Sequence, residues 1–530
     1  MSALSRLWYT VRHLKPEQIF YRLYNPFRKL LVKVNPVQGN EIFSAKDARV
    51  IELSRLPESD IADPAKNYFA WINKPYHFGG EIDWSFKEYG ALWAYHLHSF
   101  IWLERTSCED STCTLEILKS RAFSKTTGTG VDPYPTSLRL QNCVRWVLRQ
   151  SERPDWLLEF LFGDASRLAV SIEWHLLGNH LLENAFGLFH AGVFFNNSLF
   201  LDKSISILNA QLDEQFLEDG GHFERSIHYH CKAIAGIIKC LQLIDAFPSR
   251  VPPTLKSAWS ETVAKGLGWL KNMQFSDGTY PAFGDSFPKP SPDIKQLMAV
   301  ANDLGIATVQ LRLSDSNYRF LRKGGFEIAI NAGVPAPSYQ PGHSHADVGT
   351  FCIHANGRPL IVDTGISTYE RNELRQYERS TQAHNCTVHA DRNSSDVWAS
   401  FRIGKRATAS IVVDNFEKIE LRIVPFASPD AIQKRIFEVN DYSLNITDHI
   451  SYRDASNMTF LHFHPDTIPL ATSDSEIETG NIVLATHGVS NIRVENYEYC
   501  EGFNSTRTAR RLIAEIGNQP ATFSFNHSDT

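Results

Sequence analysis

Residues 314–331 read Ser314-Asp315-Ser316-Asn317-Tyr318-Arg319-Phe320-Leu321-Arg322-Lys323-Gly324-Gly325-Phe326-Glu327-Ile328-Ala329-Ile330-Asn331, and across them the hydrophobic period changes. At the end of the stretch Phe326, Ile328 and Ile330 alternate with Glu327, Ala329 and Asn331, the two-residue repeat of a half-buried strand. Farther on, Leu444 and Ile446 alternate with Asn445 and Thr447 in the same way. Ala355-Asn356-Gly357 and Asp391-Arg392-Asn393 punctuate the short apolar runs that continue to the C-terminus. Strands in that succession predict a sandwich of antiparallel sheets.

Upstream the repeat is helical. From about residue 85 to 305 apolar positions recur at three and four. This predicts helices from Tyr89 to Glu104, Ser137 to Arg149, Trp156 to Trp174, Asn179 to Phe195, Ser226 to Ala246 and Leu255 to Met273. Turn residues divide them: Pro133 with Pro135, Asp219-Gly220-Gly221, Pro252-Pro253 and Ser276-Asp277-Gly278. Many antiparallel helices with short breaks make a helical toroid or array. The expected fold is therefore multidomain α+β, an N-terminal (α/α) helical toroid followed by a C-terminal antiparallel β-sandwich. The expected divisions are a basic arm at 1–45, the toroid at 46–312 and the sandwich at 313–530, and the cleft between the two domains is a natural place for a ligand.

A formal net charge of −6 argues against a broad basic face for nucleic acid, so a polyanionic ligand would need locally placed cations. The eight cysteines, Cys108, Cys113, Cys143, Cys231, Cys240, Cys352, Cys386 and Cys500, contain no C-x-x-C pair, which points to reduced thiols. Charged residues interrupt the first 36 positions, so no signal-peptide core is read there and a cytoplasmic location is expected, at the inner face of the membrane if the arm binds it. The same segment carries Arg6, Arg12, Lys15, Arg22, Arg28, Lys29 and Lys33 against Glu17. Leu4, Leu7, Trp8 and Val11 fall at the spacing of an amphipathic helix, which could rest on an anionic membrane surface. A helical stripe more commonly packs on its own domain.

Three polar clusters carry chemistry. In Gly178-Asn179-His180-Leu181-Leu182-Glu183-Asn184 the pairs Asn179/Glu183 and His180/Asn184 are four apart, giving one broad polar face of a helix. In Asp219-Gly220-Gly221-His222-Phe223-Glu224-Arg225-Ser226-Ile227-His228-Tyr229-His230, a helix beginning near His222 would set Arg225 and Tyr229 one turn apart. A guanidinium there would lower the tyrosine pKa and make Tyr229 a usable base. In Pro341-Gly342-His343-Ser344-His345-Ala346-Asp347 a strand would turn both histidines to one face. Asp363 and His384 lie downstream, and two imidazoles with a carboxylate are a common zinc set. Each cluster alone also suits bridged helix ends, a buried tyrosine or metal-free histidines.

Taken in order, G-N-H-L-L-E-N-A at 178–185, D-G-G-H-F-E-R-S-I-H-Y-H at 219–230, H-S-H-A-D at 343–347 and R-S-T-Q-A-H-N at 379–385 resemble the heparinase II/III-like polysaccharide lyases and their alginate-lyase relatives. The resemblance runs from about Trp84 through the sandwich. It implies that Asn179 and His180 neutralise a uronate carboxylate, that Tyr229 and His343 exchange protons, and that His345, Asp363 and His384 hold a structural zinc. It also sets Glu183 near the substrate; Arg225, one helical turn from Tyr229 on the spacing above, is read as a second binding residue. The implied reaction is β-elimination on an acidic polysaccharide: loss of the C5 proton of a uronate and expulsion of the 4-linked oxygen, in capsule or exopolysaccharide metabolism. Which of Tyr229 and His343 is base stays open at this point. Two other readings compete: a glycoside hydrolase using Glu183 and Glu224, and a non-catalytic carbohydrate-binding or surface-polysaccharide assembly protein.

Overall fold

The computed structural model describes residues 3–31, 44–46, 48–56, 61–105, 111–125, 127–426, 430–451 and 456–528. Lys33, with the rest of residues 32–43 of the basic arm, and Cys108 lie outside them. At the centre of the first domain is the helix Gly178–Phe195, on which only His180 escapes full burial. A helix apolar on all sides must be surrounded. It packs against Pro133–Leu148, Asp155–Val170, Ser198–Gln215 and Ile227–Ala246. The approach to Pro133–Leu148 is close enough that a Cβ on Gly187 would lie 2.7 Å from Ser137 Cα, so the contact needs glycine. Gly90–Ser99, Ser111–Phe123, Thr254–Met273 and Ile294–Asp303 complete the main helices. Two buried ion pairs tie the layers, Arg139 Nε to Asp164 Oδ2 and Arg145 Nε to Glu104 Oε1, both at 2.7 Å. Removing one partner of such a pair costs about 3–5 kcal/mol, because the other charge is left uncompensated.

The helices differ from expectation at their ends for local reasons. Pro133 and Pro135 open a helix instead of breaking one, since proline in the first turn lacks only an N–H that would have no partner. The segment from Tyr89 divides at Phe100, whose φ is +52°, and continues as the short 3-10 turn Ile101–Glu104. Ser198–Gln215 was not anticipated; Asn197 caps it by accepting from Phe200 N at 3.0 Å. A three-stranded sheet, Ile61–Asp63, Tyr68–Trp71 and Lys74–His77, precedes the helices and was also unforeseen.

The second domain is antiparallel throughout. Its largest sheet has eight strands running from Thr408–Asp414 to Leu470–Ala471, and two four-stranded sheets accompany it. One of these joins Tyr318–Lys323, Phe326–Asn331, Phe351–Ala355 and Arg358–Ile361, with Phe326 opposite Ala355 and Ile328 opposite Ile353. The strand Phe326–Asn331 is buried along its whole length, where alternation had suggested one wet face. Phe326, Ile328 and Ile330 enter the sandwich core, while Ala329 joins the helical core. Glu327 accepts from Ser276 N and Oγ at 3.1 and 2.6 Å, so its carboxylate also meets the helical domain. The alternating residues thus face two cores, and this sheet joins the domains.

The N-terminal arm forms two helices, Ala3–Val11 and Pro16–Leu31, fastened to both domains. Arg6 grips Asp396 of the sandwich through two bonds of 3.0 and 2.8 Å, and Lys15 pairs with Glu214 of the helical domain. The arm packs by its polar side, with Leu4, Leu7, Trp8 and Val11 left exposed. Among the described residues no helix is long and apolar enough to cross a membrane.

Candidate active site

A cavity of about 930 Å³ opens where arm, helices and sandwich meet, and Asn179, His180, Tyr229 and His343 all line it. The turn into Gly178–Phe195 brings the first two there. Leu177 and Gly178 both take positive φ, +63° and +56°. Asn179 N and Nδ2 then reach Glu224 Oε1 at 3.0 and 3.1 Å, and Nδ2 also meets Oε2 at 3.1 Å. Glu224 thereby fixes the amide, whose Nδ2 lies 3.3 Å from His343 Nε2. Asn179 belongs to the toroid and His343 to the sandwich, so the contact crosses the domain junction.

His180 turns its Nδ1 to Glu173 Oε2 at 3.2 Å, and Asn184 Nδ2 holds the same oxygen at 3.1 Å. Burial pushes the imidazole pKa down, but the charge and hydrogen bond of Glu173 outweigh it and raise the pKa above its ordinary value. Glu173, and not Glu183, is the residue that orients His180. Glu183 lies behind the wall, accepting from Gln141 Nε2 at 2.8 Å, and is not part of the cavity lining.

Arg225 is displaced as well. Ser226 caps the helix by accepting from Tyr229 N, so the helix starts at Ile227, and Arg225 precedes it with φ +53°. Its Nη1 donates to Val334 O at 2.8 Å, away from the cavity. The expected lowering of the Tyr229 pKa therefore fails. Burial, then the charge of Asp285, raises it well above the ordinary tyrosine value, against smaller opposing effects of the Tyr369 hydrogen bond and of Arg375. Tyr229 stacks on His343 with ring centroids 3.7 Å apart and shares a 3.2 Å hydroxyl contact with Tyr369.

Residues 341–347 form turns, not a strand, and the two histidines are coordinated by a carboxylate that the sequence did not point out. His343 Nδ1 meets Asp285 Oδ2 at 2.8 Å and His345 Nε2 meets Oδ1 at 2.9 Å. Arg375 closes the group with a two-pronged grip on the same carboxylate at 2.6 and 2.8 Å. Burial alone would raise the Asp285 pKa; Arg375 and the two histidine bonds hold it well below the carboxylate range. Asp285, Arg375, Glu173 and Tyr369 are the residues that sequence reasoning missed. An Asp within Phe283-Gly284-Asp285-Ser286 carries no spacing that would single it out.

The zinc set is not assembled. Among the described residues no group of three or more His, Cys, Asp or Glu side chains is arranged to hold a metal ion. Asp363 Oδ2 meets His384 Nδ1 at 2.8 Å, and His345 uses Nε2 for Asp285. This leaves His345 Nδ1 and His384 Nε2 buried without hydrogen-bond partners. The hydrolase pair fails on position: neither Glu183 nor Glu224 lines the cavity.

Comparison with known proteins bears on the whole arrangement. Residues 137–303 match the profile described as Heparinase II/III N-terminus and residues 308–525 that described as Heparinase II/III-like, C-terminal. The heparin-sulfate lyase of Bacteroides thetaiotaomicron is 24% identical over 280 residues, covering 44% of this chain and 40% of the relative. That of Bacteroides stercoris is 28% identical over 296 residues, covering 49% and 44%. The chain thus spans less than half the length of these relatives. A crystal structure of heparinase III shares the fold with a TM-score of 0.65 at 14% identity, over 99% of this chain and 94% of that one. Heparan sulfate lyase HepC from Pedobacter heparinus shares it with a TM-score of 0.56 at 18% identity, over 96% and 88%. With both domain profiles matched in order and the toroid-and-sandwich fold shared, the chain belongs to the heparinase II/III-like family.

Proposed function

We propose that the chain is a polysaccharide lyase that cleaves a uronate-containing acidic polymer by β-elimination. The observation that carries this reading is the meeting of Asn179 Nδ2 and His343 Nε2 at 3.3 Å, with Tyr229 stacked on the same imidazole, in one cavity between two domains. Arg22, Lys232, Lys289, Arg371, Arg402 and Arg406 line that cavity against Glu370 and Glu501, which suits an anionic chain.

The reaction needs donors where charge develops, a base at C5 and an acid at the leaving oxygen. Asn179 and His180 meet the uronate carboxylate and stabilise the charge that builds there as the C5–H bond breaks. His343 keeps its Nδ1 proton on the Asp285 carboxylate, so its Nε2 lone pair faces the cavity and takes the C5 proton. The electron pair forms the C4–C5 double bond, the C4–O bond breaks, and the oxygen leaves with a proton. Tyr229 supplies that proton, because burial keeps its phenol un-ionised. No step runs through a metal.

The test is incubation with a panel of uronate polymers, following ultraviolet absorbance of the unsaturated product together with reducing ends. Both are expected to rise together. Reducing ends without the absorbance would establish hydrolysis, and binding without either would establish a carbohydrate-binding protein.

A further inference from the structure

The two helices of the N-terminal arm are two-sided. Inward, Arg6 binds Asp396, Thr10 accepts from Trp398 Nε1 at 3.2 Å, Gln18 donates to Leu176 O at 3.2 Å, and Tyr21 stacks on Trp174. Thr10, Val11, Leu14, Gln18 and Arg22 form part of the cavity wall. Outward, Leu4, Trp8, Phe20, Leu23 and Phe27 stand 81%, 62%, 58%, 70% and 65% exposed. Ile19, Phe20, Leu23, Tyr24 and Phe27 run as one stripe along the second helix, and Leu4, Leu7 and Trp8 stand exposed on the first. Exposed apolar side chains clustered in this way mark a contact surface.

We propose that residues 3–31 dock the protein on an anionic lipid surface, the apolar stripe entering the headgroup boundary while the opposite side of the same helices bounds the substrate cavity. The charge of the segment selects this occupant. Within that segment Arg6 and Lys15 are paired inward with Asp396 and Glu214 and Arg22 lines the cavity, and the sequence still sets Arg12, Arg28 and Lys29 against Glu17, whereas the whole chain is at −6. Anionic headgroups complement that excess, and aromatic and leucine side chains flanked by Arg and Lys are the composition of interfacial helices. A second copy of the chain would bring one cationic arm against another across a two-fold axis. The arm is already anchored by its polar side, so membrane contact needs no unfolding of it.

The experiment is flotation of the full chain with vesicles of phosphatidylglycerol and phosphatidylcholine, beside vesicles of phosphatidylcholine alone and light scattering without lipid. The intact protein is expected to float with the anionic vesicles and to release as salt rises. A Trp8→Ser, Phe20→Ser, Leu23→Ser variant removes outward side chains absent from the cavity wall. It should keep its melting temperature and partition roughly tenfold less or weaker. Equal flotation of variant and parent, or no flotation of the parent at low salt, overturns the proposal. So does a lipid-indifferent dimer that the same substitutions turn into a monomer, which would assign the face to self-association.

Discussion

The Asp285 carboxylate holds His343 by Nδ1 at 2.8 Å, from a loop of the helical domain to a turn of the sandwich. It also takes His345 and Arg375, so one buried anion sets the tautomer of the proposed base and joins the two halves of the site. Asp285→Asn keeps the shape and removes the charge. Turnover is expected to fall by about two to four powers of ten, as when a carboxylate that fixes a catalytic imidazole is replaced by its amide. The Arg375 charge would lose its partner, at a cost of about 3–5 kcal/mol in stability. Steady-state kinetics and denaturant unfolding check both. Full activity with a lowered midpoint would leave Asp285 with only a structural task.

Tyr229→Phe separates chemistry from binding. The ring still stacks on His343, while the proton is gone. The expected result is a loss of about 10²–10⁴ in kcat, the range of general acid–base catalysis, with KM close to that of the parent. Tyr369→Phe removes only the 3.2 Å neighbour of that hydroxyl and should cost much less. Equal losses for the two variants would move the proton donor to the pair.

The charge on His180 gives a pH signature. Glu173 raises its pKa, so the imidazolium persists to higher pH and is lost as pH rises through that value. Glu173→Gln removes the cause, and the alkaline fall of kcat/KM should move to lower pH. NMR titration of the His180 ring in parent and variant reads the same shift directly. An unmoved ring titration would break the link between Glu173 and His180.

Much of this arrangement was visible in the sequence because it depends on local pattern. The change of period at Phe326 gave the domain order, and the motifs around Asn179, Tyr229 and His343 held the residues that converge. What failed depends on geometry that a pattern does not carry. Arg225 was placed on a helix face with Tyr229, but Ser226 is the cap and the chain turns through positive φ just before it. A serine before the apolar run from Ile227 was the available sign. Asp285 and Arg375 are 90 positions apart and meet only in the folded chain. Glu183 was set near the substrate by resemblance alone, whereas Glu173, which no motif marked, reaches His180 from the turn preceding its helix.

Gly178 supplies a test of the scaffold apart from the reacting groups. Its φ is +56°, and a Cβ there would lie 1.8 Å from Gln340 Oε1 and 2.5 Å from Glu224 Oε1. Gly178→Ala therefore strains the backbone and pushes on the carboxylate that fixes the Asn179 amide. Left-handed strain and overpacking each cost about 1–3 kcal/mol, so a lower unfolding midpoint is expected. The proposed role of Asn179 adds a second consequence. A carboxylate moved by even a few tenths of an ångström releases the amide, so kcat/KM should fall further than the stability loss can account for at a temperature where the variant stays folded. Gly192→Ala, whose Cβ would lie 2.9 Å from Leu201 near the other end of the same helix, is the matched control. It should destabilise comparably and leave kcat/KM of the folded fraction near the parent value. Equal kinetic losses in both variants would mean that any disturbance of this helix disables the site, and the specific part given to Asn179 would fall.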